Sequence, residues 1–396
     1  MFPFLAKNYL TAIWGPFRLL ESHLMLILIG ACACTLLTWF LLPRLWDRLP
    51  HDRGKNFVAG SEKAKGKPTG AGFITTLIFL ACAFCVMPFF AEYAIIGLCL
   101  FAIMMTGYLD DRSTTDWGQL KKGLLDLAVS ILAAWTIGHW QSRIAELPGP
   151  TMWLPFVKGP LPGGAFLLPM WLYVIIGAAL LWMMINVVNC SDGVDGVAGS
   201  LALYGLFGMG VFFYIIMGHE VVTSYLLIPH LENGASWAAC IFTAIGGLCA
   251  YLWYNASPSQ VLMGDAGSRF YGLLLGIAVL VSGNPFMFLV AAPILLVNGG
   301  AGLIKLTVLR MLKKLGYDTR PPLSIVPNPI HPENFATDEE AARQCLLVRF
   351  LHRYRFPVHD HCRKNLHWSD SQVLIRFMLL QTAIMPMVII LIIKLR

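Results

Sequence analysis

Charged residues are scarce in this chain. Only 13% of its 396 residues are Asp, Glu, Lys or Arg, about half of the fraction found in soluble globular domains. Hydrophobic residues make up 57% of the sequence, which excludes an intrinsically disordered chain and an ordinary cytosolic enzyme. The composition instead predicts an integral membrane protein, for which chain length does not set the number of domains.

Paired cysteine motifs on polar loops are also missing. Most of the ten cysteines lie inside apolar runs, where thiols are small core side chains and not a disulfide framework or a zinc site. Basic residues exceed acidic ones by 29 to 22, which gives a net charge of +7. In a membrane protein such an excess marks loops that face anionic headgroups, so we expect contact with membrane lipids and no nucleic-acid partner.

Apolar runs of membrane-spanning length are abundant, since a helix crosses the bilayer core in about 20 residues. The sequence therefore predicts an all-α integral membrane protein with ten transmembrane helices in one polytopic domain, 1–396. Residues 1–22 are expected to form an amphipathic segment on the membrane. The predicted spans are 23–43, 70–90, 93–109, 123–140, 168–188, 197–217, 236–254, 268–283, 286–309 and 373–395.

The basic residues predict the orientation of these helices. Loops 44–69, 108–122 and 311–372 are rich in Lys and Arg, and such loops stay in the cytoplasm. With ten spans, both termini are then outside. The long cytoplasmic loop 311–372 contains several prolines followed by a charged stretch, which predicts irregular structure and a short helix but no separate domain.

The acidic residues cluster at the cytoplasmic ends of the spans, although each carboxylate near a membrane is placed at a cost. Asp110 and Asp111 end the third apolar run. A solvated helix end would explain them, but acids are disfavoured at a helix C-terminus, where the macrodipole is negative. We therefore expect a cation beside this pair. Mg²⁺ is favoured because it needs only one or two protein carboxylates when phosphates complete its coordination.

Polar residues recur at every third position after the fifth span. Neighbours in such a series lie close together on a helix. The alternative is a simple turn, since Gly and Asp are turn formers, but a turn needs neither two asparagines nor two acids at this spacing. The pattern therefore favours a binding site, and its members are Asn186, Asn189, Asp192 and Asp195.

Further polar residues complete the set. Asp265 lies in a Gly-Asp-Ala-Gly sequence ahead of an apolar helix, with Asn255 upstream; it is either an N-cap or a carboxylate beside a metal-bound phosphate. His359 and His361 lie two residues apart and indicate phosphate contacts or an exposed loop. The presence of Lys122 could also be explained by the general excess of basic residues in cytoplasmic loops. Together these residues predict a Mg²⁺-dependent phosphoryl-transfer site on the cytoplasmic face.

These motifs resemble those of the polyprenyl-phosphate N-acetylhexosamine-1-phosphate transferase superfamily, in particular the branch that transfers phospho-MurNAc-pentapeptide. The resemblance implies transfer of this group from UDP-MurNAc-pentapeptide to undecaprenyl phosphate with Mg²⁺, at the bacterial inner membrane, giving lipid I and UMP. A homodimer is a further expectation. The similarity covers nearly the whole chain, and its main elements are Asp110-Asp111, 186–198, 67–72, 224–229, 263–268, 359–361 and 367–377.

The resemblance also implies roles for single residues. Asp265 would ligate Mg²⁺ on the pyrophosphate. Asp110, with Asp111 beside it, would be the base for the lipid phosphate, so that all three carboxylates are catalytic. Lys122 corresponds to the lysine that follows the acidic pair in the family. The residues expected to bind the donor are Asn186, Asn189, Asp192, Asp195, Asn255, Leu262, His359 and His361.

The chain departs from the family pattern at three places. Asp360 replaces the middle one of three histidines, Leu262 replaces a phenylalanine before Met263, and the segment near 315–345 is longer than usual. Two other functions stay open: a relative that uses UDP-GlcNAc as donor, and a transporter. A transporter is expected to show repeated halves with broken helices and acids near helix midpoints, whereas the acids here lie at helix ends.

Leu262→Phe should tighten the binding of uridine-containing ligands, because the family's phenylalanine is expected to stack on uracil. Leucine lacks the aromatic quadrupole, and aromatic pairing contributes about 0.5–1.5 kcal/mol beyond area burial. The expected gain in affinity is about a few-fold to tenfold. Binding isotherms for a UDP-sugar and for the lipid acceptor, whose affinity should not change, check this. An unchanged uridine affinity would show that another aromatic residue, such as Tyr254, already takes this place.

Overall fold

The computed structural model describes residues 1–52, 65–115, 117–325 and 332–394, and most of these residues are helical. All ten predicted apolar runs fall on helices, because a helix satisfies the backbone hydrogen bonds of an apolar run internally. The long helices are α1 (His23–Leu45), α2 (Ala71–Val86), α3 (Ala91–Arg112), α4 (Gln119–Ile144), α5 (Met170–Ser191), α6 (Val197–Met217), α7 (Gly234–Asn255), α8 (Gly264–Val281), α9 (Pro293–Lys314) and α10 (Asp370–Lys394).

Within the described ranges, eight of these helices are long and apolar enough to cross a membrane, so the chain is a multi-pass helical membrane protein. The other two of the ten are α2, which has only 16 residues, and α4, whose first two turns carry Lys121, Lys122 and Asp126. Eight of the ten predicted spans therefore meet this measure. The sidedness of the termini stays a prediction.

Short elements join the long helices. An antiparallel hairpin lies between α4 and α5, with β1 (Thr151–Trp153) paired to β2 (Ala165–Leu167). The other short α-helices are Phe2–Leu5, Thr11–Ile13, Glu220–Leu226 and Phe288–Ala291. Short 3-10 and π segments are Ala6–Leu10, Gly15–Glu21, Trp46–Arg48, Pro162–Gly164, Pro285–Met287, Leu323–Ile325 and Pro332–Asn334.

The loop 311–372 has the predicted mixture of irregular structure and short helices. Residues 326–331 of this loop, like residues 53–64 of the first basic loop, lie outside the described residues. Thr337 caps the first of its α-helices through a capping box with Glu340. The helices are Asp338–Arg343, Leu346–Arg353 and Val358–Lys364.

Helix α8 forms the centre of the bundle. It contacts α2, α3, α5 and α6, and its residues from Ala266 to Val281 are all buried. Helices α1 and α7 pack against each other, and both contact α2. Because α8 is surrounded on all sides, its first turn is held in place by several neighbours at once.

Two glycines let neighbouring helices approach the first turn of α8 at backbone contact. A Cβ on Gly107 of α3 would lie 2.4 Å from the carbonyl oxygen of Asp265, and a Cβ on Gly72 of α2 would lie 2.0 Å from the nitrogen of Gly267. No side chain fits at these distances, and small residues of this kind permit close packing of membrane helices. The position of Asp265 is therefore fixed by steric contact.

Gly107→Ala should destabilise the fold, because the added methyl group has to displace the backbone of Asp265. Overpacking of this kind costs about 1–3 kcal/mol. The matched control is Gly97→Ala on the same helix, where a Cβ meets only Cδ2 of Leu80 at 3.9 Å. Thermal unfolding of both variants in detergent should show a lower midpoint for Gly107→Ala alone. Equal midpoints would contradict the close approach of α3 and α8.

Candidate active site

Three helix ends meet at one end of the bundle: the last turn of α3 and the first turns of α4 and α8. The ammonium group of Lys122 on α4 pairs with Asp110 of α3, and its Nζ lies 3.2 Å from Oδ2 of Asp265 on α8. One cation therefore bridges carboxylates from two other helices. The remaining oxygen of Asp110 accepts a hydrogen bond from the backbone N–H of Trp117 at 2.9 Å. The structure thus brings together Asp110, Lys122 and Asp265, which are far apart in the sequence.

Asp111 points to a different partner. Its carboxylate accepts hydrogen bonds from the backbone N–H groups of Asp265 at 3.1 Å and Ala266 at 3.2 Å. The first N–H groups of a helix have no partner within the helix, and its positive N-terminal dipole stabilises an anion. Asp111 therefore caps α8 from outside that helix. The alternative that Asp265 is itself the N-cap is wrong, because Asp265 lies within the first turn.

The polar series after the fifth span is only partly helical. Helix α5 ends at Ser191 and Asp192 is its C-cap residue, so Asn186 and Asn189 lie on the helix and Asp195 lies in the following turn. The second half of the series therefore forms a turn, which is the alternative expected from its glycines and acids.

Each half of the series makes contact with another part of the site. The Oδ1 of Asn189 accepts a hydrogen bond from Oγ of Ser268 on α8 at 2.9 Å. Asp195 accepts hydrogen bonds from the backbone N–H of Ser259 at 3.1 Å and from its Oγ at 2.9 Å. Lys67 in turn donates to Oγ of Ser259 at 3.0 Å. Asn186 donates within its own helix, to the carbonyl oxygen of Trp182 at 2.8 Å.

Asn255 holds two backbone segments together beside this turn. It is buried, its Oδ1 accepts a hydrogen bond from the N–H of Gly196 at 2.8 Å, and its Nδ2 donates to the carbonyl oxygen of Val261 at 2.8 Å. Leu262, which follows Val261, is half-buried, and its N–H donates to the carbonyl oxygen of Pro68. Asn255 therefore joins the turn after α5 to the segment that leads into Leu262.

Tyr254 is engaged by α1. Its hydroxyl donates to the carbonyl oxygen of Trp39 at 2.8 Å, and its ring packs edge-on against Trp46 with centroids 5.5 Å apart. These contacts hold the ring on the α1 side of α7. They weaken the alternative in which Tyr254 takes the place of the missing aromatic residue at Leu262.

His359 connects the helix Val358–Lys364 to the rest of the site. Its backbone N–H donates to Oδ1 of Asn298 at 2.9 Å, and its Nδ1 lies 3.1 Å from the same oxygen. Because Oδ1 is an acceptor, Nδ1 carries the proton, and Nε2 is left as an acceptor. A Cβ on Gly193 would lie 2.4 Å from this Nε2. His359 is thus placed against the turn that contains Asp192 and Asp195.

His361 lies one residue beyond Asp360 on the same short helix. Its ring packs near that of Tyr354, with centroids 5.7 Å apart. The two histidines therefore have different neighbours: His359 contacts Asn298, and His361 packs near Tyr354.

The sequence reasoning missed a buried ion pair below the cluster. Nη2 of Arg269 on α8 lies 2.9 Å from Oδ1 of Asp126 on α4, and both side chains are only 1% exposed. Arg269 also donates to the hydroxyl of Thr106 on α3 at 3.3 Å. A signal existed in the sequence, because charges inside apolar spans are rare and mark function, and each of the two lies four residues after a site residue, Lys122 or Asp265.

A divalent cation would depend on few protein ligands here. Among the described residues, no group of three or more His, Cys, Asp or Glu side chains could hold a metal ion. Both oxygens of Asp111 accept backbone hydrogen bonds, and the oxygens of Asp110 are engaged by Lys122 and by the N–H of Trp117. The side chain of Asp265 is 18% exposed and that of Asp110 is 7% exposed, so Asp265 is the more accessible carboxylate of the two. Mg²⁺ is commonly bound by one or two carboxylates, with substrate phosphates and waters completing its shell, so this donor set fits Mg²⁺.

Comparison with known proteins agrees with this site. Residues 93–283 match the family model described as glycosyl transferase family 4. A phospho-N-acetylmuramoyl-pentapeptide-transferase of Treponema pallidum (strain Nichols) is 40% identical over 374 residues, which cover 94% of this chain and 91% of the relative. Proteins of the same name from Gemmatimonas aurantiaca and Campylobacter hominis are 26% and 28% identical over 85% and 71% of this chain, and over 84% and 80% of their own lengths.

The matched segment contains the helix ends that carry Asp110, Lys122 and Asp265. A multi-pass helical bundle with this match is a phosphoglycosyl transferase, so the chain is an enzyme and the transporter alternative is wrong. The similarity to the Treponema protein extends over nearly the full length of both chains. The chain belongs to the phospho-N-acetylmuramoyl-pentapeptide-transferase family.

The buried imidazole of His359 should make stability depend on pH. The pKa of His359 lies at about 4 and not at its ordinary value of 6.5, because burial lowers it strongly; Asp360 opposes this shift and Arg363 adds to it. The folded state therefore favours the neutral ring, and its contribution is complete above about pH 6.5 and is lost as the pH falls towards 4. Thermal midpoints of the wild type should fall relative to those of His359→Gln in this window. A constant difference between the two proteins would contradict the assignment.

Proposed function

We propose that this enzyme transfers phospho-MurNAc-pentapeptide from UDP-MurNAc-pentapeptide to undecaprenyl phosphate, giving lipid I and UMP, at the cytoplasmic face of the bacterial inner membrane. The observation that carries the proposal is the cluster in which Lys122 bridges Asp110 and Asp265 at three helix ends. The name of the 40% identical relative supports the transferred group. A soluble anionic donor and a lipid acceptor can meet only at the membrane surface, where helix ends lie.

Phosphoryl transfer asks the protein mainly to position the reactants and to neutralise charge. An oxygen of the lipid phosphate forms a bond to the β-phosphorus of the donor, the bond from that phosphorus to the bridging oxygen breaks, and UMP leaves. In this proposal Asp110 takes the proton from the acceptor phosphate. The ammonium group of Lys122, whose side chain is 24% exposed, moves away from the carboxylates and contacts phosphate oxygens of the substrate. Asp265 holds Mg²⁺, which supplies Lewis-acid neutralisation of the pyrophosphate when bound.

The donor occupies the side of the cluster formed by the turn after α5. Asn189 is linked to Ser268 of α8, Asp195 is linked to Ser259, and His359 lies against Gly193 of the same turn. These contacts support a donor site along the wall that this turn forms. Asn186, Asn255, Leu262 and His361 extend that wall in the proposal, with Asn255 acting through the backbone of its neighbours.

The donor test compares UDP-MurNAc-pentapeptide with UDP-GlcNAc, because Asp360 departs from the family pattern among the histidines. Purified protein, undecaprenyl phosphate and Mg²⁺ are supplied with each donor, and UMP release is measured. The proposal expects release only with the pentapeptide donor. Release with UDP-GlcNAc alone would replace the proposed donor and retain the reaction class.

Asp265→Asn should nearly abolish UMP release while the protein still folds. Loss of a metal-ligating carboxylate removes several kcal/mol of charge stabilisation, so the rate should fall by more than about a hundredfold. Asp318→Asn in the long loop is the matched control, because the carboxylate of Asp318 is 38% exposed and forms its ion pair with Arg320 of the same loop. Turnover of Asp265→Asn within tenfold of the wild type at saturating Mg²⁺ would rule out this role.

Asp110→Asn should also be severely impaired, and the pH dependence of the loss separates two roles. If Asp110 is the base, a higher pH deprotonates the lipid phosphate without it and activity returns. If Asp110 serves only as the partner of Lys122, raising the pH restores nothing. Rates of UMP release measured across the pH range on the wild type and the variant decide this, and the proposed base role expects recovery.

A further inference from the structure

The polar residues around the site form two layers, one helical turn apart. Each layer takes one residue from α3, one from α4 and one from α8, and in every helix the two residues are four positions apart, so they lie on the same face. In the outer layer Lys122 and Asp265 are 24% and 18% exposed, whereas the two charged residues of the inner layer are each only 1% exposed. The outer layer consists of Asp110, Lys122 and Asp265; the inner layer consists of Thr106, Asp126 and Arg269.

The charges on α4 and α8 form an alternating square. Across the helices, Lys122 faces Asp265 at 3.2 Å and Arg269 faces Asp126 at 2.9 Å. Along α4, cationic Lys122 stands one turn from anionic Asp126, and along α8, anionic Asp265 stands one turn from cationic Arg269. Opposite charges at this spacing attract. Every side of the square is therefore attractive, while the carboxylates of Asp126 and Asp265 repel each other along one diagonal. Reversing the inner pair would make both sides along the helices repulsive.

Stability alone does not account for the inner pair. Removing two charges from water is costly, and apolar side chains of similar volume often serve as well or better. A charged pair deep in an apolar span is therefore retained for what it does. Arg269 also reaches the hydroxyl of Thr106, so the inner layer touches the same three helices that carry the reacting cluster.

We propose that Asp126 and Arg269 are positioning residues for the transfer reaction. Asp126 attracts the ammonium of Lys122 and Arg269 attracts the carboxylate of Asp265, so that the outer pair is held in register before the phosphates arrive. The link to turnover rests on the proposed function. The geometric part, that the inner pair keeps Lys122 between Asp110 and Asp265, does not.

An exchange of charges separates positioning from simple clamping. In the double variant Asp126→Arg with Arg269→Asp, one buried ion pair remains between α4 and α8. If the pair serves only to hold α4 and α8 together, the exchange should change neither readout, because the attraction between the two helices is kept. If the pair positions the outer residues, the exchange should disturb them, because Lys122 then lies one turn from a cation and Asp265 one turn from an anion. If the exchanged protein does not fold, the neutral pair Asp126→Asn with Arg269→Gln tests the same attraction without repulsion.

Two measurements report on each variant. The first is the rate at which acetic anhydride modifies Lys122, determined by mass spectrometry relative to Lys121 beside it, which is exposed. The second is kcat and KM for UMP release. Positioning expects Lys122 to react about tenfold faster in the exchanged variant and kcat to fall by about the same factor, with KM for the donor less affected. The neutral pair should show smaller changes in the same directions.

The matched control is an ion pair at the far end of α3 and α4, where Nη2 of Arg143 lies 2.8 Å from Oε1 of Glu92. Its exchange, Glu92→Arg with Arg143→Glu, should leave both readouts unchanged. Wild-type labelling of Lys122 and wild-type kcat in a folded exchanged or neutral variant would overturn the proposal. A wild type that releases no UMP from any UDP-sugar would overturn the proposed function instead, and the labelling of Lys122 would still decide the geometric part.

Discussion

The carboxylate of Asp111 on the first free N–H groups of α8 is the contact on which the site depends. It joins the end of α3 to the start of α8, where the helix dipole favours an anion. Gly107 lets the two backbones touch one turn below. With Asp111 held there, the adjacent Asp110 is left to meet Lys122, and the same first turn of α8 presents Asp265.

Charge neutralisation explains the rest of the cluster. In a bundle with few polar groups, a carboxylate without a counter-charge is expensive, and each one here has a partner: Lys122, the start of α8, or Arg269. Among the described residues of this region, the four carboxylates are accompanied by two cationic side chains, Lys122 and Arg269. An excess of negative charge at an open face suits a divalent cation that arrives with an anionic donor. The proposed reaction needs such a face at the membrane surface.

Much of this could be predicted from sequence, because hydrophobic runs and acids at their ends are local signals. All ten apolar runs are helices, and Asp110, Lys122 and Asp265 do meet. Helix α5 ends at Ser191, close to the end of the predicted span 168–188, so only the first half of the polar series is helical. Asp126 and Arg269 were missed because each lies inside or beside a run counted as apolar, and only the packing of α4 on α8 shows that they pair. The capping role of Asp111 could not be predicted either, because the N–H groups that it accepts from belong to a helix far away in the sequence.

The most direct test is an anomalous-scattering map from crystals grown with Mn²⁺ in place of Mg²⁺ and with UDP-MurNAc-pentapeptide. The account predicts one manganese peak beside the carboxylate of Asp265, with the pyrophosphate between it and Lys122. It also predicts that the sugar lies towards the turn that packs on His359. A manganese peak and pyrophosphate bound away from the ends of α3, α4 and α8 would contradict the account.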